Sequence, residues 1–278
     1  MDRFERQRAL FGDEGQARVA QSRVAIVGVG GLGAFVAMEL AYLGVGEIAL
    51  IDDDVLETSN RNRLVGAWDR HKNGTPKVEI MKELIEAIDP TIQVSGRRVR
   101  FGRDADAMKA VTGASVVMGC LDNDGSRLRL NTLCCRAGLL LIDAASDTQR
   151  GVKNLAYGGR VTCCSSDTGC LVCFDALDPR EVRRSLASDG QRADEHAIYG
   201  IERASLRGSG PSVVSVNGVV ASLAVTEFMA AVTGLRKPFA LQEYRGHEGK
   251  VFRGAERGDS DCYYCALRSV SATATEEG

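Results

Sequence analysis

The apolar run Val24-Ala25-Ile26-Val27 breaks at Gly28-Val29-Gly30-Gly31-Leu32-Gly33 and resumes with helical spacing over residues 34–43. A short continuous apolar run reads as a buried strand, and the glycines after it as the turn into a helix. A second run, Glu47-Ile48-Ala49-Leu50-Ile51, ends at Asp52. The alternation continues with a helix over 78–88 stopped by Asp89-Pro90, a half-exposed strand over 92–101 and a buried strand over 114–120. A helix over 124–137 and a strand over 139–142 follow. This order predicts an α/β fold with a Rossmann-like, doubly wound and mostly parallel sheet, binding ligands beyond the carboxyl ends of its strands.

Near residue 151 the pattern changes to short β-like pieces and cysteines. Residues 178–210 are highly charged without a clean period and read as a long crossing loop with some local helix. A helix is expected over 211–234, one or two strands over 239–252, and a small polar disordered tail over 269–278. The organisation is thus a nucleotide-binding portion over 1–150 and a β-rich portion over 151–268, within one domain overall.

Composition narrows the partners. A net charge of −2 and a pI near 6.0 leave no electrostatic footprint for nucleic acid or a membrane surface. Residues 1–21 are charged throughout and unlike a signal peptide, so nine cysteines without one point to a reducing, cytoplasmic setting with thiols or metal. The most apolar window, 213–233, holds Asn217, Gly218 and Glu227 and reads as a buried helix.

Strand, glycine turn and helix together form a phosphate seat, because the helix N-terminus offers unpaired N–H groups and a positive dipole end. Asp52, nineteen residues past Gly33, is placed to bind a ribose hydroxyl. Those features alone fit a nicotinamide dehydrogenase equally well. Further residues shift the balance: Asp52-Asp53-Asp54, then Ser59-Asn60-Arg61-Asn62-Arg63, then Thr75-Pro76-Lys77. Two cations, Arg63 and Lys77, suit a triphosphate better than a dinucleotide, although both also read as solvated surface charges. Cys120-Leu121-Asp122-Asn123 closes the fourth strand, with Arg127 and Asn131 following. Asp122 there can hold magnesium or orient a substrate, or can cap the next helix.

Cys170-x-x-Cys173 and Cys262-x-x-Cys265 have the spacing of a four-thiolate zinc site. A closed site of four thiolates leaves no position for catalysis, so this zinc is structural; two redox pairs are the competing reading. Cys120, Cys134, Cys135, Cys163 and Cys164 read as core thiols. His196 reads as a surface residue, and His71 and His247 carry no local signature.

In order and spacing these residues resemble the ubiquitin-activating superfamily, in its ThiF/MoeB/HesA branch, over nearly the whole chain. The resemblance implies ATP binding by Gly28, Gly30, Gly31, Gly33, Asp52, Asp54, Ser59, Asn60, Arg63, Lys77, Asp122 and Asn123. It implies catalytic roles for Asp122, Arg63, Lys77 and Arg6, with Asp122 tied to magnesium. Arg6 matches an arginine that reaches into a partner subunit, which implies a homodimer. The implied reaction is ATP-dependent adenylation of the C-terminal carboxylate of a ubiquitin-like or sulfur-carrier protein. Relatives that form a thioester carry their cysteine after the first zinc pair, whereas residues 174–261 here hold none. That favours a reaction ending at the acyl-adenylate. A short peptide as acceptor and a non-catalytic scaffold are the alternatives.

Overall fold

The computed structural model describes residues 2–150, 155–186, 212–255 and 261–273. Eight strands form one sheet in the order β3-β2-β1-β4-β5-β6-β7-β8. They are β1 (Arg23–Val27), β2 (Glu47–Ile51), β3 (Gln93–Arg97), β4 (Val116–Gly119), β5 (Leu140–Arg150), β6 (Leu155–Cys164), β7 (Leu241–Arg245) and β8 (Lys250–Arg253). The first five pair in parallel, with Val27 beside Ile51 and Gly119. From β5 onward the pairing is antiparallel, so the sheet runs on past residue 150 without a break in order.

The helices are α1 (Glu5–Gln21), α2 (Gly31–Leu43), α3 (Lys77–Ile88), α4 (Ala105–Thr112), α5 (Asp124–Ala137), α6 (Pro179–Leu186), α7 (Val214–Thr233) and α8 (Tyr263–Thr273). α2, α3 and α7 cover one face of the sheet, whose core holds Ile26, Ile48, Leu50, Leu40, Met81 and Phe228. The other face packs Ala25, Val27, Ile51 and Val117 against α4 and α5 through Val111 and Leu130. α7 is long and apolar enough to cross a membrane, yet Val220, Ala221, Ala224 and Phe228 along it are buried in the protein.

Several elements differ from the sequence reading. β5 extends to Arg150 because small and polar residues beyond Asp143 are held by the ladder to β6, not by an apolar pattern. The expected strand over 92–101 contracts to Gln93–Arg97, whose pairing with β2 ends there. α2 begins three residues before 34, so Gly31 and Gly33 lie in its first turn. The expected tail at 269–278 is helical through Thr273: Cys262 and Cys265 anchor α8 beside Cys135 and Cys170, and Leu267 packs there. α1 lies in the charged leading segment, with Phe11, Gly15 and Val19 buried at four-residue intervals and a bend at Gly12. Of the expected crossing loop, α6 is described; residues 187–211, with His196, and residues 274–278 lie outside the described residues.

Candidate functional site

Three parallel strands end together, Val27 beside Ile51 and Gly119, and the segments that follow β1 and β4 meet there. At the end of β1, the Gly28 N–H donates to the Ile51 carbonyl at 2.9 Å, and its φ of +93° belongs to the left-handed region. A Cβ there would stand 2.4 Å from the Cys120 carbonyl oxygen, and one at Gly33 would stand 2.0 Å from that of Gly28. Glycine at these two positions lets β4's end and α2's first turn close on the glycine turn. Gly30 faces open space, and as N-cap it brings no side chain to α2's first N–H groups. No acidic residue occupies that first turn, so the dipole end is left for an external anion.

The end of β2 supplies the anchor. Asp52 accepts the Val29 N–H at 2.5 Å and the Asp54 N–H at 2.8 Å, tying the glycine turn to the segment after β2. Burial pushes its carboxyl up, while Lys77 pulls it back. Lys77 opens α3 almost wholly buried, with Nζ 2.7 Å from the exposed Asp54. Arg63 packs its stem close to Gly31, its Nη1 donating to the Ser59 carbonyl at 2.6 Å and to Asn62 at 3.2 Å. Ser59 and Asn60 shape the 3-10 turn Thr58–Asn60: the Asn60 Oδ1 accepts the Glu57 N–H, and Ser59 Oγ donates to Glu57.

The end of β4 supplies an exposed carboxylate. Asn123, not Asp122, caps α5, its side chain accepting the Ser126 N–H at 2.8 Å. Asp122 is exposed, and one of its oxygens accepts from the Asn123 amide at 3.2 Å. Beneath it Arg127, 6% exposed, donates through Nε to the Leu121 carbonyl at 2.9 Å and faces the fully buried Asp143 at 3.6 Å. The arginine thereby holds the strand-end bend from inside. Its four-residue spacing from Asn123 is visible in the sequence, but its partner Asp143 is not.

Arg6 is placed elsewhere. Its neighbour Gln7 donates to the Tyr42 carbonyl at 3.0 Å, at the C-terminal end of α2. Phe4 lies against Gly44 beside it. The 13-residue α2 separates that end from the glycine turn by about 17 Å at 1.5 Å per residue.

The four cysteines converge. Sγ–Sγ distances are 3.8 Å for Cys170–Cys173, 3.7 Å for Cys170–Cys262 and 3.5 Å for Cys173–Cys265. A tetrahedron with arms of about 2.3 Å has edges of about 3.8 Å, so the donor set fits zinc. Two independent redox pairs would have no reason to share one centre. Cys120, Cys134, Cys163 and Cys164 are different: burial pushes all four thiols up, that of Cys134 to about 12, so none is a ready nucleophile.

The chain belongs to the ThiF family, whose sequence model matches residues 4–272. It is 34% identical over 186 residues to the SAMP-activating enzyme E1 of Haloferax volcanii, a match covering 66% of this chain and 65% of that protein. It is 28% identical to the sulfur carrier protein ThiS adenylyltransferase of Escherichia coli, over 91% of this chain and 89% of that one. Among solved structures, E. coli MccB with MccA-N7isoASN shares the fold at a TM-score of 0.74 and 22% identity, covering 95% of this chain and 75% of that one.

Proposed function

We propose that the chain is an ATP-dependent adenylyltransferase acting on the C-terminal carboxylate of a small ubiquitin-fold or sulfur-carrier protein. The observation that carries this reading is what gathers around one glycine turn: the α2 N-terminus, Asp52 bonded to Val29, the Arg63 stem against Gly31, and the backbone at the end of β4, just before Asp122, against Gly28, with Lys77 paired to Asp54 beside Asp52. Relatives named as adenylyltransferases support it, and family membership favours it over a nicotinamide dehydrogenase.

The acceptor's carboxylate oxygen attacks the α-phosphorus of ATP, the bond to the bridging oxygen of pyrophosphate breaks, and an acyl-adenylate remains. Proton transfer plays little part, so catalysis comes from alignment and charge neutralisation. The α2 N-terminus and Gly30 seat phosphate, Asp52 holds the ribose, and Asp54, Ser59, Asn60 and Asn123 shape the walls. Arg63 and Lys77 offset phosphate charge, joined by Arg6 from a second copy in a homodimer. Asp122 would hold magnesium, which when bound offsets further charge on the phosphates. Zinc on the four cysteines ties α8 to the segment after β6.

A second reading keeps the chemistry and changes the acceptor to a short peptide with a free C-terminus; the fold shared with MccB favours it. ATP–pyrophosphate exchange against a panel of carrier-protein and peptide tails tests both. Exchange with a Gly-ended carrier protein is expected; exchange with peptides alone selects the second reading, and none with any tail overturns the adenylation.

A further inference from the structure

Residues 55–76 carry Ser59, Asn60 and Arg63 between β2 and α3, with one 3-10 turn as their regular structure. Their base is closed by backbone: Leu56 N–H to the Thr75 carbonyl at 2.7 Å, Gly74 N–H to that of Leu56 at 2.8 Å, and Lys77 N–H to that of Asp54 at 3.1 Å. Their far end is closed by a side chain. His71, 8% exposed, accepts the Trp68 N–H on Nδ1 at 3.1 Å, and its Nε2 stands 2.8 Å from Glu83 on α3. An Nδ1 that accepts carries no proton, so the neutral ring donates from Nε2 to the carboxylate. The His71 carbonyl accepts from Arg61, whose Nε also donates to Asn73 at 3.2 Å, and Asn73 donates to Thr58 at 2.7 Å. The chain of contacts thus runs from α3 through the imidazole into the turn that precedes Arg63.

Aromatic contacts brace the same point. The Trp68 and His71 rings stack with centroids 5.5 Å apart, and the Arg70 guanidinium lies 4.1 Å above the Trp68 ring while also pairing with Glu83. Hydrogen bonds from His71 and then Arg70 hold the Glu83 carboxyl low, consistent with a carboxylate fixed in this role.

We propose that His71 is a positioning residue: it bridges the Trp68 backbone to Glu83 and so sets the Thr58–Arg63 turn at the distance from α3 that lets Arg63 and Lys77 engage one triphosphate. The inference rests on the ATP reading above. It concerns no contact between His71 and substrate.

Trp68 is the only tryptophan in the chain and sits on the ring in question, which gives a readout independent of ATP. His71→Asn keeps an acceptor for the Trp68 N–H and loses Glu83; His71→Gln keeps the reach to Glu83 and loses that acceptor. Glu83→Met removes the acceptor and cuts the bridge from the other side. Acrylamide quenching of Trp68 emission is expected to rise in all three, with thermal unfolding still cooperative. The Kd for ATP with magnesium, by calorimetry, should rise up to about tenfold, the most that one part-buried hydrogen bond is worth. The His71→Gln, Glu83→Met double variant should bind no more weakly than the weaker single one, since each opens the same bridge, one at its Trp68 end and the other at its Glu83 end. Unchanged quenching overturns the bridge, and raised quenching with unchanged ATP affinity overturns the positioning role. A wild-type chain that binds no ATP fails the functional reading instead, while quenching still decides whether the bridge exists.

Discussion

Asp52 accepts the backbone N–H of Val29, so the carboxylate at the end of β2 fixes the glycine turn at the end of β1. The group expected to hold a ribose is therefore also part of the turn's architecture. Burial raises this carboxyl, with Lys77 opposing. Its folded-state pKa lies above the unfolded one, so the stability it gives is present at low pH and lost as pH rises through the folded value. Nucleotide binding has the opposite sign, because the ionised form accepts the N–H groups and a hydroxyl. On acidification from pH 7, ATP affinity should fall at a pH above the ordinary aspartate value of about 3.9, while this group's contribution to stability grows. Calorimetry across that range, with Asp52→Asn as a weaker-binding control lacking this titration, checks it; identical pH profiles would remove Asp52 from the nucleotide site.

Asp122 and Asn123 are adjacent, but their loss is expected to have different costs. Asn123 caps α5, so Asn123→Ala should cost about 1 kcal/mol of stability. Asp122 caps nothing, and Asp122→Ala should leave the unfolding midpoint within the error of the wild type. Its adenylation rate should drop by roughly 100-fold or more, as for loss of a group that stabilises transition-state charge. Pyrophosphate exchange and urea unfolding on both variants give the comparison. An unstable Asp122→Ala would return the residue to a structural role.

Much of this was legible in the sequence because it is local. Apolar runs and glycines located β1, β2, β4 and the turn between β1 and α2, and CxxC spacing located the cysteine cluster. What escaped was set by distant partners. β5 runs on eight residues past the expected end at 142 because β6 pairs with it, and α8 orders because two cysteines tether it. His71 looked featureless because its meaning lies in Glu83, twelve residues away on the next helix. Arg127 likewise needed Asp143 from β5.

The convergence of Cys170, Cys173, Cys262 and Cys265 predicts one zinc per chain by elemental analysis. Burial raises the Cys262 and Cys265 thiols, so their ionisation calls for a cation at their centre. Cys262→Ser should lose the metal and release α8 from α5. A loss of a few kcal/mol would lower Tm by roughly 5–10 °C. Full zinc content in that variant, or none in the wild type, would sink the assignment.

The last prediction concerns Arg6. α1 holds it at the C-terminal end of α2, through Gln7 on Tyr42 and Phe4 on Gly44, while the glycine turn lies at the other end about 17 Å away. Arg6 is exposed, so its guanidinium is available to another molecule. An arginine that cannot reach its own crevice can serve one only across an interface, neutralising phosphate charge as an arginine finger does. Arg6→Ala and Asp122→Ala chains should then each be inactive as pure dimers. Mixed in equal amounts with subunit exchange, about half the dimers are hybrids. Each hybrid has one site with both residues intact, so activity should recover to about a quarter of wild type per total site. Exchange can be verified by native mass spectrometry on differently tagged chains. Hybrids that form without regaining activity would place Arg6 outside the reaction.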